Sequence, residues 1–290
     1  MEPYFEPSTT FAALRPGRPE PRLTGLWCAG SLAPLSRPSV AIVGTRAATP
    51  YGRSNARRIA ADLAGAGLCI LSGLALGIDA AAHEGALEAG GLTVGVLGSG
   101  HGRFYPPRNH TLAERMLAAG GAVLSPFAPE EPARRGQFLA RNGVVAALAD
   151  ALLVVEAPAR SGALNTASWA AGQIPVLALP GDVDRRASAG CLALLRDGAI
   201  LVRDALDVLE ALGIAPGIPA SPGGARGDAA QEPLLALLAD GEAEMESLAQ
   251  RSGLPIPELL GRLAMLELQG SIERRGTRYV LVHRHRIGRS

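Results

Sequence analysis

The sequence contains no lysine: all 28 of its basic residues are arginine, against 27 Asp and Glu. That absence removes every mechanism needing an ammonium group, among them Schiff-base catalysis, a lysine base and the phosphate clamp of a Walker A loop. Cysteine is scarce too. Cys28, Cys69 and Cys191 are an odd number with no close pair, which argues against a disulfide framework or a Cys-rich zinc site and fits a reducing, cytoplasmic setting. Long apolar runs are missing as well. The N-terminus carries Glu2 and Glu6 with no basic, apolar sequel, and the most apolar stretch, 143–157, is broken by Asp150 and Glu156. Neither a signal peptide nor a membrane span is expected. The net charge of +1 argues against a wholesale polyelectrolyte binder but leaves room for a local basic face.

What is present is an alternation. Short β-branched runs at 40–44, 68–72, 93–98, 122–125, 151–156 and 175–179 end in or near Gly or Ser and read as buried strands. Ala/Leu-rich helical patterns at 51–65, 78–89, 111–119, 139–148, 164–172 and 192–196 fill the gaps between and after them. Strands alternating with helices predict crossover units and a mainly parallel sheet covered on both faces. The fold class is therefore α/β, a Rossmann-like, doubly wound domain over residues 37–213 that follows a short N-terminal extension, 1–36. Residues 214–228 are mostly Pro, Gly, Ala and Ser with one arginine and no large apolar cluster, and read as a linker. Beyond it, helical patterns at 232–239, 244–251 and 258–269 and a two-stranded wing within 271–282, turning at Gly276, predict a small winged-helix domain over 229–282. A basic tail, 283–290, ends the sequence. From Asp228 to Gly270 there are eight acidic residues and two arginines, so the expected recognition helix is poorly suited to a duplex groove.

Open α/β sheets bind ligands at the carboxyl ends of their strands. The first such end reads Gly44-Thr45-Arg46, and Thr49-Pro50 then opens a helix with an N-cap and a first-turn proline. Backbone N–H groups at that start would attract an anion, and Arg46 adds a fork matched to phosphate oxygens. The competing reading has Thr49-Pro50 only start a helix while Arg46 is solvated. Similar ends recur at Ser72-Gly73, Gly98-Ser99-Gly100 and Ser161-Gly162, the last followed by Asn165 and Thr166. A nucleotide cofactor needs one such loop, whereas several could follow successive phosphates of a strand. No G-x-G-x-x-G is present and no acid ends the second strand, so a dinucleotide oxidoreductase is a poor fit. Between the fourth and fifth strands Arg134, Arg135, Arg141 and Asn142 surround Phe138, a combination suited to single-stranded nucleic acid, although Phe138 also reads as a core residue with solvated neighbours. Asp79 and His83, one helical turn apart, read as a hydrogen-bonded pair that fixes a strand–helix connection. His101, Tyr105, Arg108, Asn109 and His110 read as loop residues. Two further arginine groups, Arg53/Arg57/Arg58 and Arg274/Arg275/Arg278, read equally as surface. No catalytic residue, metal or cofactor is expected.

Taken together, the run 40–46, the run Ser72-Gly73-Leu74-Ala75-Leu76-Gly77-Ile78-Asp79 to His83, Tyr105-Pro106, 138–142, Ser161 to Ala167 and Leu179-Pro180-Gly181 resemble the DprA (Smf) family, in order, from about residue 21 to 212. The resemblance implies a non-enzymatic, cytoplasmic protein of natural transformation that binds incoming single-stranded DNA, helps load the recombinase RecA and acts as a dimer through its Rossmann-like domain. It also implies a DNA pocket lined by Arg46, Arg135, Phe138, Arg141, Asn142, Ser161, Gly162 and Thr166, with Gly44, Thr45, Ser72 and Gly73 as its anion-binding edge. The sequence departs from the family at Thr45, Leu139 and Gly143, which stand where Ser, Pro and Arg are usual, and the helical domain that often precedes the Rossmann-like part is expected to be missing. Two other readings remain: a nucleotide-processing hydrolase of the lysine-decarboxylase-like class, although no acid follows Ser161–Thr166 until Asp182, and a duplex-binding regulator that rests on the winged helix alone.

Overall fold

Runs of Val, Ile and Leu without polar alternation are strands buried on both faces. The structure, a computed structural model, describes residues 2–14, 24–215, 234, 237–238, 241–252, 254–268 and 272–281. Within it the chain separates into two units, Met1–Ala225 and Arg226–Ser290.

In the first unit the strands are β1 (Tyr4–Pro7), β2 (Gly25–Gly30), β3 (Ser39–Gly44), β4 (Cys69–Ser72), β5 (Thr93–Val96), β6 (Ala122–Ser125), β7 (Ala151–Glu156), β8 (Val176–Ala178) and β9 (Ile200–Leu201). They form one sheet in the order β1-β2-β6-β5-β4-β3-β7-β8-β9. From β3 onward every pairing is parallel, which requires helical crossovers, and these are α2 (Pro50–Gly65), α3 (Ile78–Glu88), α4 (His110–Ala118), α5 (Arg135–Leu148), α6 (Gly162–Ala170) and α7 (Ala189–Arg196). A short α1 (Ser8–Leu14) follows β1, and α8 (Ala205–Ala211) follows β9. Strand alternation divides the core in two. Ala41, Val43, Leu71, Val96 and Val154 pack on one face, and Val40, Ile42, Ile70, Leu153 and Leu177 on the other.

The structure alters several expectations. Residues 1–36 are not apart from the sheet: β1 and β2 extend it beyond β6, both antiparallel. Trp27 meets Phe5 edge-on at 5.4 Å there, a contact that only the paired strands reveal. Strand β5 stops at Val96, which frees Gly98 for the loop that follows. Helix α5 begins at Arg135 rather than Leu139. No Ser, Thr, Asp or Asn marks that start; instead the Gln137 side chain accepts from the Arg134 backbone N–H at 2.6 Å and donates to Glu131 at 2.7 Å. In the last segment Val202, Val208 and Leu209 are buried in the core, whereas Ile200, Leu201 and Leu206 remain on the surface at the sheet edge.

The second unit joins helices Met245–Ser252 and Ile256–Leu268 to a three-stranded sheet in which Ala243–Glu244 pairs with Arg278–Leu281, which pairs with Ile272–Arg275. The wing thus gains a third strand over the two expected. Gly276 turns it with φ of 65°, a left-handed conformation that favours glycine. Leu248, Leu259, Leu263, Leu266 and Tyr279 form its core. Most of the expected linker, most of the helix at 232–239 and the tail 283–290 lie outside the described residues. No helix among the described residues is long and apolar enough to cross a membrane.

Candidate nucleic-acid interface

Strand β3 is where the sheet changes direction: the chain passes to β4 on one side and, later, to β7 on the other. Loops leaving two such strands diverge and open a crevice between them. A cavity of about 490 Å³ occupies it. Gly44, Thr45 and Arg46 enter from the β3 loop, Gly73 from the β4 loop, Arg135, Phe138, Arg141 and Asn142 from α5, and Ser161, Gly162 and Thr166 from α6. Of the residues expected in the pocket, Ser72 alone does not line it. A second cavity of about 580 Å³ shares Arg46, Arg135 and Phe138 as a wall and adds Arg103, Tyr105 and Arg134.

That wall is a stack. The Arg46 guanidinium lies over the Phe138 ring, 4.9 Å from its centroid, and Tyr105 meets the same ring at 5.9 Å with a 58° tilt. Phe138 rests on Gly98, where any side chain would collide with the ring. Arg46, Arg135 and Arg160 are exposed, and among the described residues none of the three is ion-paired to a carboxylate. Other arginines are engaged: Arg57 forks onto Glu88, Arg103 lies 3.5 Å from Glu130, and Arg278 lies 3.3 Å from Glu244.

Beneath the exposed arginines lies a buried frame. Asp79 accepts from the backbone N–H groups of Gly73 at 3.0 Å and Ala75 at 3.4 Å. Arg141 is only 4% exposed and donates through Nη1 to the carbonyls of Gly73 and, at 2.6 Å, Val96. Gly73 is therefore held at both ends of its peptide, and a side chain there would overlap the Arg141 guanidinium. Asn109 donates to the carbonyls of Leu74 and Ala75 at 2.8 and 3.0 Å. These bonds hold Leu74 at φ of 54°, a left-handed conformation uncommon for a residue with a side chain. Burial pushes the Asp79 carboxyl pKa up while Arg141 pulls it down, and burial lowers Arg141 to about 10 against the opposing pull of Asp79. Arg141 is thus a cation at neutral pH.

Four of the residues expected in the pocket have their side chains engaged within the protein. The Ser72 hydroxyl is buried and donates to Ile42 O at 2.6 Å, so it offers nothing to a phosphate. Thr166 Oγ1 donates to Gly162 O at 3.2 Å. Asn142 Nδ2 donates to Gly162 O at 3.1 Å and Asn165 Oδ1 at 3.2 Å, tying α5 to α6. With the buried Arg141, these side chains shape the cavity, and the exposed groups above them remain open to solvent. The anion site expected at the start of α2 is already filled: Glu156, at the end of β7, accepts from Thr49 N at 2.8 Å and Thr49 Oγ1 at 2.7 Å, in space left by Gly52. Asp79 and His83 are not bonded to each other. His83 Nδ1 meets Thr93 Oγ1 at 2.6 Å, and because that hydroxyl donates to Ile70 O, Nδ1 carries the proton. Nε2 is buried without a partner, and desolvation lowers the pKa of His83 to about 3.

Sequence reasoning passed over Arg160 and Arg103, and it left Tyr105 as a loop residue. Arg160 had a readable signal, directly preceding the Ser161 that caps α6 at Leu164 N. Tyr105 and Arg103 had none, because only the folded loop after β5 brings Tyr105 against Phe138 and Arg103 into the same cavity wall.

Fold and site together define a Rossmann-like protein with a basic ligand cavity at its switch point, followed by a winged-helix unit. The chain belongs to the DNA recombination-mediator protein A family, whose pattern matches residues 18–213, and the DprA winged helix domain matches residues 218–276. It is 42% identical over 264 residues to a putative DNA processing protein DprA of Mycobacterium tuberculosis, covering 88% of this chain and 67% of that one. DNA processing protein A from Streptococcus pneumoniae has a similar structure, with a TM-score of 0.61 and 39% identity over 64% of this chain and 66% of that one. A third relative, DNA processing protein A from Helicobacter pylori, was solved for its single-stranded DNA binding mode; it gives a TM-score of 0.62 and 31% identity over 73% of this chain and 94% of that one. The chain spans about two thirds of the length of the first two.

Proposed function

We propose that this protein binds single-stranded DNA in the crevice between the β3 and β7 loops, protects incoming DNA during natural transformation and helps load RecA onto it. The observation that carries the reading is the stack of Arg46 on Phe138 between two cavities, with Arg135 and Arg160 alongside and no carboxylate among the described residues paired to them. An aromatic ring flanked by permanently charged forks suits a flexible phosphodiester whose bases are unstacked. Arg46 and Arg135 take phosphates, Phe138 takes a base, and the backbone at Gly44, Thr45, Gly73, Ser161 and Gly162 forms the rim. The single-stranded DNA binding described for the Helicobacter pylori relative supports the same assignment. RecA loading and the cytoplasmic setting rest on family membership.

We read the protein as non-enzymatic. Asp79, the one carboxylate lining the cavity among the described residues, is committed to backbone N–H groups, and burial pushes the Cys28 and Cys191 thiols up to about 12, far from a nucleophile's range. A homodimer through the edge of the first unit is supported by Ile200, Leu201 and Leu206, which are 42%, 49% and 54% exposed. Sedimentation of the full chain as a monomer at micromolar concentration would overturn it.

Fluorescence anisotropy with labelled oligo-dT, a duplex of equal length and a nucleoside monophosphate tests the binding itself. Oligo-dT binds more tightly than duplex, Phe138→Ala costs about 1 to 3 kcal/mol, and the monophosphate is not turned over. Preference for duplex, or hydrolysis of the monophosphate, contradicts the reading.

A further inference from the structure

Helices α5 and α6 pack side by side where they leave the cavity, and neither contains an acidic residue. Arg135 opens the first, and Arg160 precedes the N-cap of the second. Along α5, Arg135, Leu139 and Gly143 recur every four residues and share one face over about 12 Å. Leu139 lines the cavity and is 52% exposed. At Gly143 the stripe has no side chain, and the Trp169 indole of α6 occupies the space above it: a Cβ at Gly143 would lie 3.3 Å from both ring-fusion atoms, Cδ2 and Cε2. One face of the indole is thus seated on the α5 backbone. The residue is nevertheless 56% exposed, among the largest exposures of any apolar side chain in the first unit.

We propose that Trp169 is a stacking platform for a following base of the same single strand that enters the cavity, an inference that rests on the function proposed above. A rigid ring, fixed on one side and open on the other, presents the surface on which a nucleobase stacks, and such a contact tolerates any base. Charge identifies the occupant. The route from the cavity to the indole starts between Arg135 and Arg160, crosses the apolar Leu139 and meets no acid on either helix, so it suits a polyanion with flat apolar bases. Phe138 and Trp169 then act at two points on one strand, with the Leu139 turn between them.

Trp169 can be observed directly. The chain has two tryptophans, and Trp27 lies in β2, four strands from β3 in the sheet. In a Trp27→Phe background, titration with an oligo-dT series reports on Trp169 alone. Quenching that sets in with increasing oligonucleotide length, while dTMP leaves the emission unchanged, is the expected result. Trp169→Ala weakens binding of long oligo-dT by about 5- to 150-fold, and Trp169→Phe retains most of the affinity. Long oligo-dT bound at full affinity by Trp169→Ala, or bound without any change in Trp169 emission, overturns the platform while leaving the cavity reading intact. Absence of oligo-dT binding to the unsubstituted protein overturns both.

Discussion

Three helix starts at the carboxyl edge of the sheet meet negative charge in opposite ways. At the start of α2, Thr49 presents its backbone N–H and its hydroxyl to a carboxylate from the protein itself, Glu156, and the site is closed. At the starts of α5 and α6, Arg135 and the Ser161 cap face a cavity to which no carboxylate is ion-paired among the described residues, and the site is open. The contrast teaches that an N-cap marks a place for negative charge without saying whose charge it is. What decides is whether a neighbouring strand ends in an acid: β7 ends in Glu156 beside α2, and β4 ends in Ser72 with its hydroxyl turned inward.

The largest effect is expected in the buried frame beneath the open site. Arg141→Leu leaves Asp79 buried without its cation and two carbonyls without a donor, and should cost about 3 to 5 kcal/mol in urea unfolding. Arg46→Ala, on the exposed side, should stay within about 0.5 kcal/mol of the parent. Equal costs for the two would erase the distinction between frame and contact surface.

Next in size is the closed site. Glu156→Ala strips the α2 start of its acceptor and should lower stability by about 1.5 to 3 kcal/mol, without weakening oligo-dT binding in the folded protein. A variant that loses DNA affinity and keeps its stability would place Glu156 in the open site instead.

A smaller effect follows from His83. Its folded pKa of about 3 lies below the usual 6.5, so as pH falls the unfolded chain binds the proton first. Its contribution is complete above about pH 6.5 and drains away between there and about 3. The parent should therefore lose on the order of 1 to 2 kcal/mol more than His83→Gln between pH 7 and pH 5, measured by chemical denaturation at both. Parallel losses in the two proteins would show that His83 is not held neutral.

The strands of the parallel sheet were legible because a strand buried on both faces must be apolar throughout, as Val40 to Val43 and Ala151 to Val155 are. The cavity was legible for a related reason: Gly44, Gly73 and Ser161 follow such strands, and a parallel sheet collects their ends along one edge. What stayed hidden depends on partners distant in the chain. Arg141 reads as a surface donor until Gly73, 68 residues away, claims it, and Asn142 reads likewise until Gly162, 20 residues away, does the same. The Glu156 cap joins residues 107 apart, and no local pattern announces it. The start of α5 was hidden because Gln137 fixes it from within the helix. Strands β1 and β2 were hidden because they pair antiparallel, outside the strand–helix alternation that marks the parallel sheet.

The salt dependence of oligo-dT affinity tests the open and closed sites together. If Arg46 and Arg135 hold phosphates and the α2 start does not, each arginine-to-alanine variant lowers the slope of log K against log salt by about 0.7, and Glu156→Gln leaves it unchanged. An unchanged slope in both arginine variants, or a steeper one in Glu156→Gln as phosphate moves to the α2 start, would contradict the account.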